Sequence, residues 1–336
     1  MSEGYEIWWI DDDESRESQA RGLDEETERL TVNFFLPEEI MDRLVSDESD
    51  VSEPDLILTD WVLHQKSDFG GDGLSVEGVI RGALPEVPVY GFSARYHDSS
   101  FERKRSERRF DRLFHLSDLT EPDTAARLIS DIKDYRQIED VQDEGVDALL
   151  DLLGTPSSDR TDKLPTALPH EFTGGIPSGE RYESGGILRF ARWVRDELLR
   201  TPGLLWDRKL TATKLGLTEE AFQGEYMDQF EDAEYSGIFA SAVGPRWWRS
   251  DIIGILIDLS QDTDVEIQSP WRSGPQILGA DESEMAECVV CEETFPETVG
   301  YLSIDTDDGF PAHYRCSAIE KTRDGVFDDL RLIERD

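Results

Sequence analysis

The sequence predicts an α/β fold for residues 1–140, a doubly wound five-stranded parallel sheet. A mainly helical domain over 186–282 and a small α+β finger over 283–336 follow it. Three observations carry this reading. Apolar strand-like runs alternate with helical segments through the first 140 residues, apolar residues recur at helical spacing between 186 and 262, and all three cysteines lie between 288 and 316. Strand–helix alternation means a parallel sheet covered on both faces, because each parallel crossover needs a connection long enough to hold a helix.

The elements follow in order. Residues 5–10, Tyr5-Glu6-Ile7-Trp8-Trp9-Ile10, form a buried strand that runs into three acids, Asp11, Asp12 and Asp13. Residues 14–28 are polar and helical. Residues 31–36 make a second strand, and Pro37 opens a helix with its fixed φ at the first helical position. A third strand over 55–59 ends at Asp60, and a helix near 73–81 precedes a fourth strand over 87–92. The fifth strand, 112–116, leads into a helix from about Pro122. In such a sheet the functional crevice lies at the carboxyl ends of the strands.

What stands at those ends is specific. Asp11, Asp12 and Asp13 follow strand one, Asp60 follows strand three, and Ser93-Ala94 follow strand four. An oxygen-rich cluster suits Mg²⁺, which takes a few carboxylates together with water and phosphate oxygens. A carboxylate held there is also a nucleophile toward a phosphoryl donor. These elements, in this order, resemble the receiver domain of two-component response regulators, a flavodoxin-like fold. The resemblance implies that Asp11, Asp12 and Asp60 hold Mg²⁺, that Asp60 is the phospho-acceptor and Ser93 the switch hydroxyl, and that a histidine kinase is a partner. Asp72-Gly73 matches the family's turn after the acceptor strand, with a longer loop, 63–71, before it. One position departs from the family, which carries a Lys at the end of strand five. Residues 110–117 contain none, and His115 or Leu116 stands in that neighbourhood. A phosphorylation-competent receiver and a degenerate one kept as a docking platform are both open readings.

Between strands four and five, Arg95, Arg103, Lys104, Arg105, Arg108 and Arg109 form a basic stretch in an otherwise acidic chain. It reads either as a docking site for an acidic or phosphorylated partner, or as a solvated helix partly neutralised by Glu102 and Glu107. From Ala125 a helical pattern continues towards Leu153, with Gly145 as a weak point; such an extension either packs locally or dimerises. Residues 141–185 read as helical extension and Pro/Gly-rich linker. Residues 210–222 outline a helix-turn-helix, but the second helix is acidic where DNA contact needs cations. Arg246-Trp247-Trp248-Arg249 suits either base stacking or a core that opens the helix after it.

Cys288 and Cys291 make a C-x₂-C pair, and His313 and Cys316 an H-x₂-C pair after 21 intervening residues that read as a hairpin. Three thiolates and one imidazole complete a closed tetrahedral shell for structural Zn²⁺. The arrangement resembles a treble-clef zinc finger, with a helix expected from Glu320. All cysteines cluster rather than pair, which places the chain in a reducing compartment, the cytoplasm.

Composition bounds the rest. The net charge is −41, and of 34 basic residues 27 are Arg and seven Lys. An acidic, Lys-poor, folded chain suits a salt-loaded, halophilic cytoplasm, where the Debye length falls to about 3 Å and self-repulsion is screened. No apolar run nears the roughly 18–20 residues that span a bilayer. The expected function is a response-regulator-type signalling or adaptor protein that acts through protein contacts. It is not an enzyme beyond self-phosphorylation at Asp60. The alternative is a DNA-binding transcriptional regulator with the helical and zinc-finger regions as output.

Overall fold

The run from Tyr5 to Ile10 is buried except for half-buried Glu6: Ile7, Trp8, Trp9 and Ile10 are wholly out of water. A central parallel strand, covered on both faces, demands such a run. The computed structural model describes residues 4–25, 27–45, 53–63, 71–95, 109–156, 159, 167–177, 185–201, 203–263, 265–267, 270–289, 291–294, 298–302, 309–313 and 316. The chain divides into two compact units, one of residues 1–149 and 170–193, the other of 150–169 and 194–336.

The first unit is a five-stranded sheet in the order β2-β1-β3-β4-β5. The strands are β1 (Tyr5–Ile10), β2 (Leu30–Phe35), β3 (Leu56–Asp60), β4 (Val89–Ser93) and β5 (Arg112–His115), all parallel. Helices α1 (Glu17–Glu25), α2 (Pro37–Val45) and α3 (Gly73–Ala83) cross between them. Successive side chains of a strand point to opposite faces. Trp8, Ile10, Ile57 and Val89 accordingly pack with Ile40, Val76 and Ile80 of α2 and α3. Trp9 and Phe92 meet on the other face, their ring centroids 4.8 Å apart. There the Tyr90 hydroxyl donates to Asp131 of the helix Thr124–Asp140 at 2.9 Å. This is the flavodoxin-like order. The chain steps from β1 outward to β2 and then crosses to β3 on the other side of β1, which opens a crevice at the carboxyl ends of β1 and β3.

The helix after β5 stops at Asp140. Gly145 takes φ +84°, a left-handed value that only glycine adopts at little cost, and a separate helix, Val146–Leu152, follows. The pattern read towards Leu153 is therefore two helices. The grouping also departs from the boundaries expected at 140 and 186, because residues 170–193 pack on the first unit. Gly185 N–H donates to the Pro85 carbonyl at 3.1 Å, and Phe172 meets Phe190 edge-on at 5.3 Å. A Cβ on Gly185 would lie 1.8 Å from the Glu86 carboxyl carbon, so a larger residue there would turn the Glu86 side chain aside.

In the second unit, strand Leu205–Asp207 pairs antiparallel with Arg246–Trp248. Trp206, Trp247, Phe222, Phe230, Leu215 and Leu256 form its core. Trp247 and Trp248 are buried, so the aromatic half of Arg246-Trp247-Trp248-Arg249 is core rather than a stacking surface. Helix Arg208–Leu215 is capped by the Asp207 carboxylate and ends at Gly216, φ +80°. Thr218 caps the next helix, but after Ala221 the backbone widens to a π turn and then tightens to a 3₁₀ turn. The regular second helix expected there is absent, and Glu220, Glu225 and Asp228 are exposed along it. The antiparallel hairpin Thr298–Leu302 with Gly309–His313 follows. The helix expected from Glu320, and Arg103, Lys104, Arg105 and Arg108, lie outside the described residues. Among the described residues no helix is long and apolar enough to cross a membrane.

Candidate functional site

At the end of β1 the chain turns at once. Asp11 accepts the Asp13 N–H at 2.9 Å, and Asp13 accepts the backbone N–H and hydroxyl of Ser15 at 3.1 and 2.6 Å, capping a 3₁₀ turn, Glu14–Arg16. At the end of β3, Asp60 accepts the Val62 N–H at 2.9 Å. These turns leave Asp11, Asp12 and Asp60 buried, each offering a carboxylate oxygen within 4.8 Å of the others. Ser93, also buried, accepts the Arg95 N–H at 3.1 Å. Asp12, Asp13, Arg16, Asp60, Val62, Ser93, Ala94 and Arg95 line a cavity of about 90 Å³.

The Asp72 carboxylate caps α3 through Ser75 N–H at 2.9 Å. A Cβ on Gly73 would lie 2.4 Å from the Asp60 carbonyl oxygen, so only glycine lets α3 start against the strand that carries Asp60.

Sequence reasoning missed Arg16. One nitrogen, Nη1, donates to Asp11 at 2.9 Å and to Asp60 at 2.7 Å. The available signal was an arginine just after three acids, but nothing in the sequence measures how far its side chain reaches. The strand-five position left open between His115 and Leu116 is occupied by His115, paired in register with Ser93. Its Nδ1 accepts the Ser117 N–H at 3.2 Å, and its Nε2 meets the Ala94 carbonyl at 3.2 Å, so the ring caps the following turn.

Burial first, and then the neighbouring Asp11 charge, push the Asp60 carboxyl up from 3.8 to about 6, although the Val62 N–H and Arg16 pull the other way. Burial raises Asp11 as well. A raised acid favours the protonated form in the fold. Stability therefore falls as pH rises between about 4 and 6, and the full cost, up to ~3 kcal/mol, is present above 6. Asp60→Asn is expected to be more stable than the parent by about 1–3 kcal/mol at pH 7, the gap closing as pH falls to 4. Urea melts at constant ionic strength measure it; a variant no more stable at pH 7 contradicts the assignment.

The donor set fits a divalent cation. Asp11, Asp12, Asp13 and Asp60 against Arg16 and Arg95 leave two negative charges, which one Mg²⁺ would cancel, in a cavity with room for water.

A second group converges in the other unit. Cys288 and Cys291 flank a turn completed by Glu292 at φ +58°, and His313 ends the hairpin. The His313 Nδ1 lies 3.2 Å from Cys291 Sγ and 3.8 Å from Cys316 Sγ, and its backbone N–H donates to Cys288 Sγ at 3.2 Å. All four donor atoms lie within 4.8 Å of one another, and the cysteines form no disulfide. A tetrahedral zinc shell has donor–donor edges of roughly 3.3–3.8 Å. Burial and then the adjoining thiols raise Cys316 to about 11, because so many thiols cannot ionise together without a cation among them. The donor set fits Zn²⁺.

No family model and no curated protein matches the chain. Solved structures do. The signal receiver domain of an HD domain-containing protein from Pseudomonas fluorescens Pf-5 is 18% identical over 38% of this chain and 88% of that one, TM-score 0.29. The response regulator domain of Thermotoga maritima CheB is 13% identical over 39% and 94%, TM-score 0.29. NtrX from Brucella abortus is 22% identical over 38%, TM-score 0.28, and there the match spans only 25% of the other chain. The strand order and the strand-end acids decide the fold. The first unit has the receiver fold.

Proposed function

We propose that this protein is a cytoplasmic signalling protein of response-regulator type, in which Asp60 accepts a phosphoryl group and thereby controls contact with a protein partner. The observation that carries this reading is the convergence of buried Asp60 with Asp11, Asp12 and Ser93 around one small cavity at the β1/β3 crevice.

The Asp60 carboxylate is the nucleophile: its oxygen bonds to phosphorus, the bond from phosphorus to the donor's leaving atom (an imidazole nitrogen of phosphohistidine, a carboxylate oxygen of acetyl phosphate) breaks, and the donor fragment departs with that electron pair. With a histidine kinase the donor is a phosphohistidine; with acetyl phosphate the leaving group is acetate. Asp11, Asp12 and Asp60 would hold Mg²⁺, which supplies charge neutralisation for the incoming phosphoryl oxygens. The Ser93 hydroxyl, on the cavity wall, donates to a phosphoryl oxygen and carries the change to the neighbouring Ala94–Arg95 backbone. In the second unit Cys288, Cys291, His313 and Cys316 would hold Zn²⁺ with four protein ligands, a closed shell whose contribution is folding energy.

Intact-mass spectrometry after incubation with Mg²⁺ and acetyl phosphate, in molar salt, tests the acceptor. One phosphoryl adduct is expected on the parent and none on Asp60→Asn. A folded parent that takes up no phosphoryl group overturns acceptor function and leaves a docking platform.

A further inference from the structure

We infer that Arg16 is the resident cation of the acceptor pocket: it balances Asp60 before phosphoryl transfer and pairs with the phosphoryl oxygens after it. This rests on reading Asp60 as the acceptor. Residues 113–116, at the carboxyl end of β5, hold no Lys or Arg, and Arg16 reaches Asp60 from the opposite side, the turn after β1; Arg95, the other arginine on the cavity wall, follows β4. His115, at the end of β5, spends its ring on Ser117 and Ala94.

Arg16 is placed by its backbone. Its N–H donates to the Asp13 carbonyl at 2.8 Å, in the 3₁₀ turn that the Asp13 carboxylate caps. The side chain is 20% exposed, which puts the guanidinium at the cavity wall rather than in open solvent. Its Nη1 bridges Asp11 and Asp60, while Nε lies 4.0 Å from Asp13. A guanidinium carries five N–H donors in a planar fork, so it can hold Asp11 with one arm and offer another to a phosphoryl oxygen. When the phosphoryl group arrives, the oxygen of Asp60 that bonds to phosphorus loses its negative charge, and new charge appears on oxygens farther into the cavity. A fixed fork between Asp11 and Asp60 follows that shift without leaving its place.

The placement also bears on the metal. Arg16 adds one positive charge beside the carboxylates that would hold Mg²⁺, so removing it strengthens divalent binding while it weakens phosphoryl transfer. A residue needed only for folding would move the two in the same direction.

The experiment uses the full chain as parent, Arg16→Gln and Arg16→Lys, with circular dichroism confirming that each is folded. Adduct formation with acetyl phosphate and Mg²⁺ is followed by intact mass, and Mn²⁺ affinity by electron paramagnetic resonance. Arg16→Gln is expected to slow adduct formation at least about tenfold, the scale of one lost charge-assisted hydrogen bond. The same variant should bind Mn²⁺ at least about fivefold more tightly, from loss of one nearby repelling charge. Arg16→Lys keeps the charge but not the fork, so it should bind Mn²⁺ within about threefold of the parent and form the adduct at a rate between those of the parent and Arg16→Gln. If Arg16→Gln does not fold, Arg16→Gln/Asp13→Asn removes one charge of each sign, leaves Asp11, Asp12 and Asp60 in place, and should still slow adduct formation. Adduct formation at the parental rate in either glutamine variant overturns the inference. If the parent itself takes up no phosphoryl group, the acceptor reading fails, and Mn²⁺ decides Arg16 separately. Tighter binding in the glutamine variant keeps it as the pocket's cation; unchanged binding removes it.

Discussion

Cys288→Ser is expected to reduce zinc from about one ion per chain to none and to unfold the hairpin Thr298–Leu302/Gly309–His313. The hairpin is short, and an isolated two-stranded ribbon is at best marginal in water. What ties it to the turn at 288–292 is chiefly the cluster, with the His313 N–H on Cys288 Sγ and the His313 ring between Cys291 and Cys316, beside one backbone bond from the Val289 N–H to the Pro311 carbonyl at 3.0 Å. Structural zinc is worth about 10–16 kcal/mol in isolated fingers, far more than any single contact there. Removing one of four ligands forfeits most of that, since the remaining thiols are then held together with nothing to offset their repulsion. Zinc by inductively coupled plasma mass spectrometry, with limited proteolysis across 288–316, reads the result. Val289→Ala is the control, because Val289 is 47% exposed and should change neither. Parent protein that is zinc-free, yet resists proteolysis there as well after chelation as before, would remove the metal from this account.

Asp111→Ala is expected to destabilise the first unit by about 3–5 kcal/mol, the range for breaking a buried ion pair. Asp111 stands just before β5, its side chain wholly buried. One carboxylate oxygen accepts from Arg81 Nη2 and from the Val89 N–H at 2.8 Å, the other from Arg192 at 3.2 Å. Arg81 in turn donates to Glu77 at 3.2 Å and to the Val87 carbonyl at 2.9 Å. Without Asp111 the buried guanidinium keeps its desolvation cost and loses its strongest partner, and a β4 N–H is orphaned. Arg127→Ala, which removes an ion pair with Glu121 at 42% and 56% exposure, should cost no more than about 1 kcal/mol. Urea melts of both variants in molar salt give the comparison. Screening reduces the surface pair further and leaves the buried one nearly untouched. Equal, small losses would show that the buried network contributes no more than a surface pair.

Much of the first unit was legible from consecutive residues. Runs such as 7–10 and 56–58 are apolar at successive positions because both faces of a parallel strand are covered, and the alternation with helices left one sheet class. The gathering of Asp11, Asp12 and Asp60 at one edge followed, because residues that end neighbouring parallel strands must share that edge. The convergence of Cys288, Cys291, His313 and Cys316 was readable for a related reason: two closely spaced ligand pairs joined by a hairpin can meet only one way.

What escaped the sequence has a common physical origin. Arg16 reaches an acceptor 44 positions away, and side-chain reach across a crevice leaves no periodicity to read. Residues 170–177 and 185 look like linker by composition, yet they group with the first unit: Phe172 packs against Phe190, and the Gly185 N–H bonds the Pro85 carbonyl. Trp247 and Trp248 read more readily as core than as a stacking surface, and strand Leu205–Asp207 pairs beside them and buries both. Periodicity, caps and ligand spacing are properties of neighbouring residues and so belong to the sequence. Which distant charge neutralises Asp60, which segment belongs to which core, and where a helix must widen are set by what packs alongside, and only the tertiary structure holds that information.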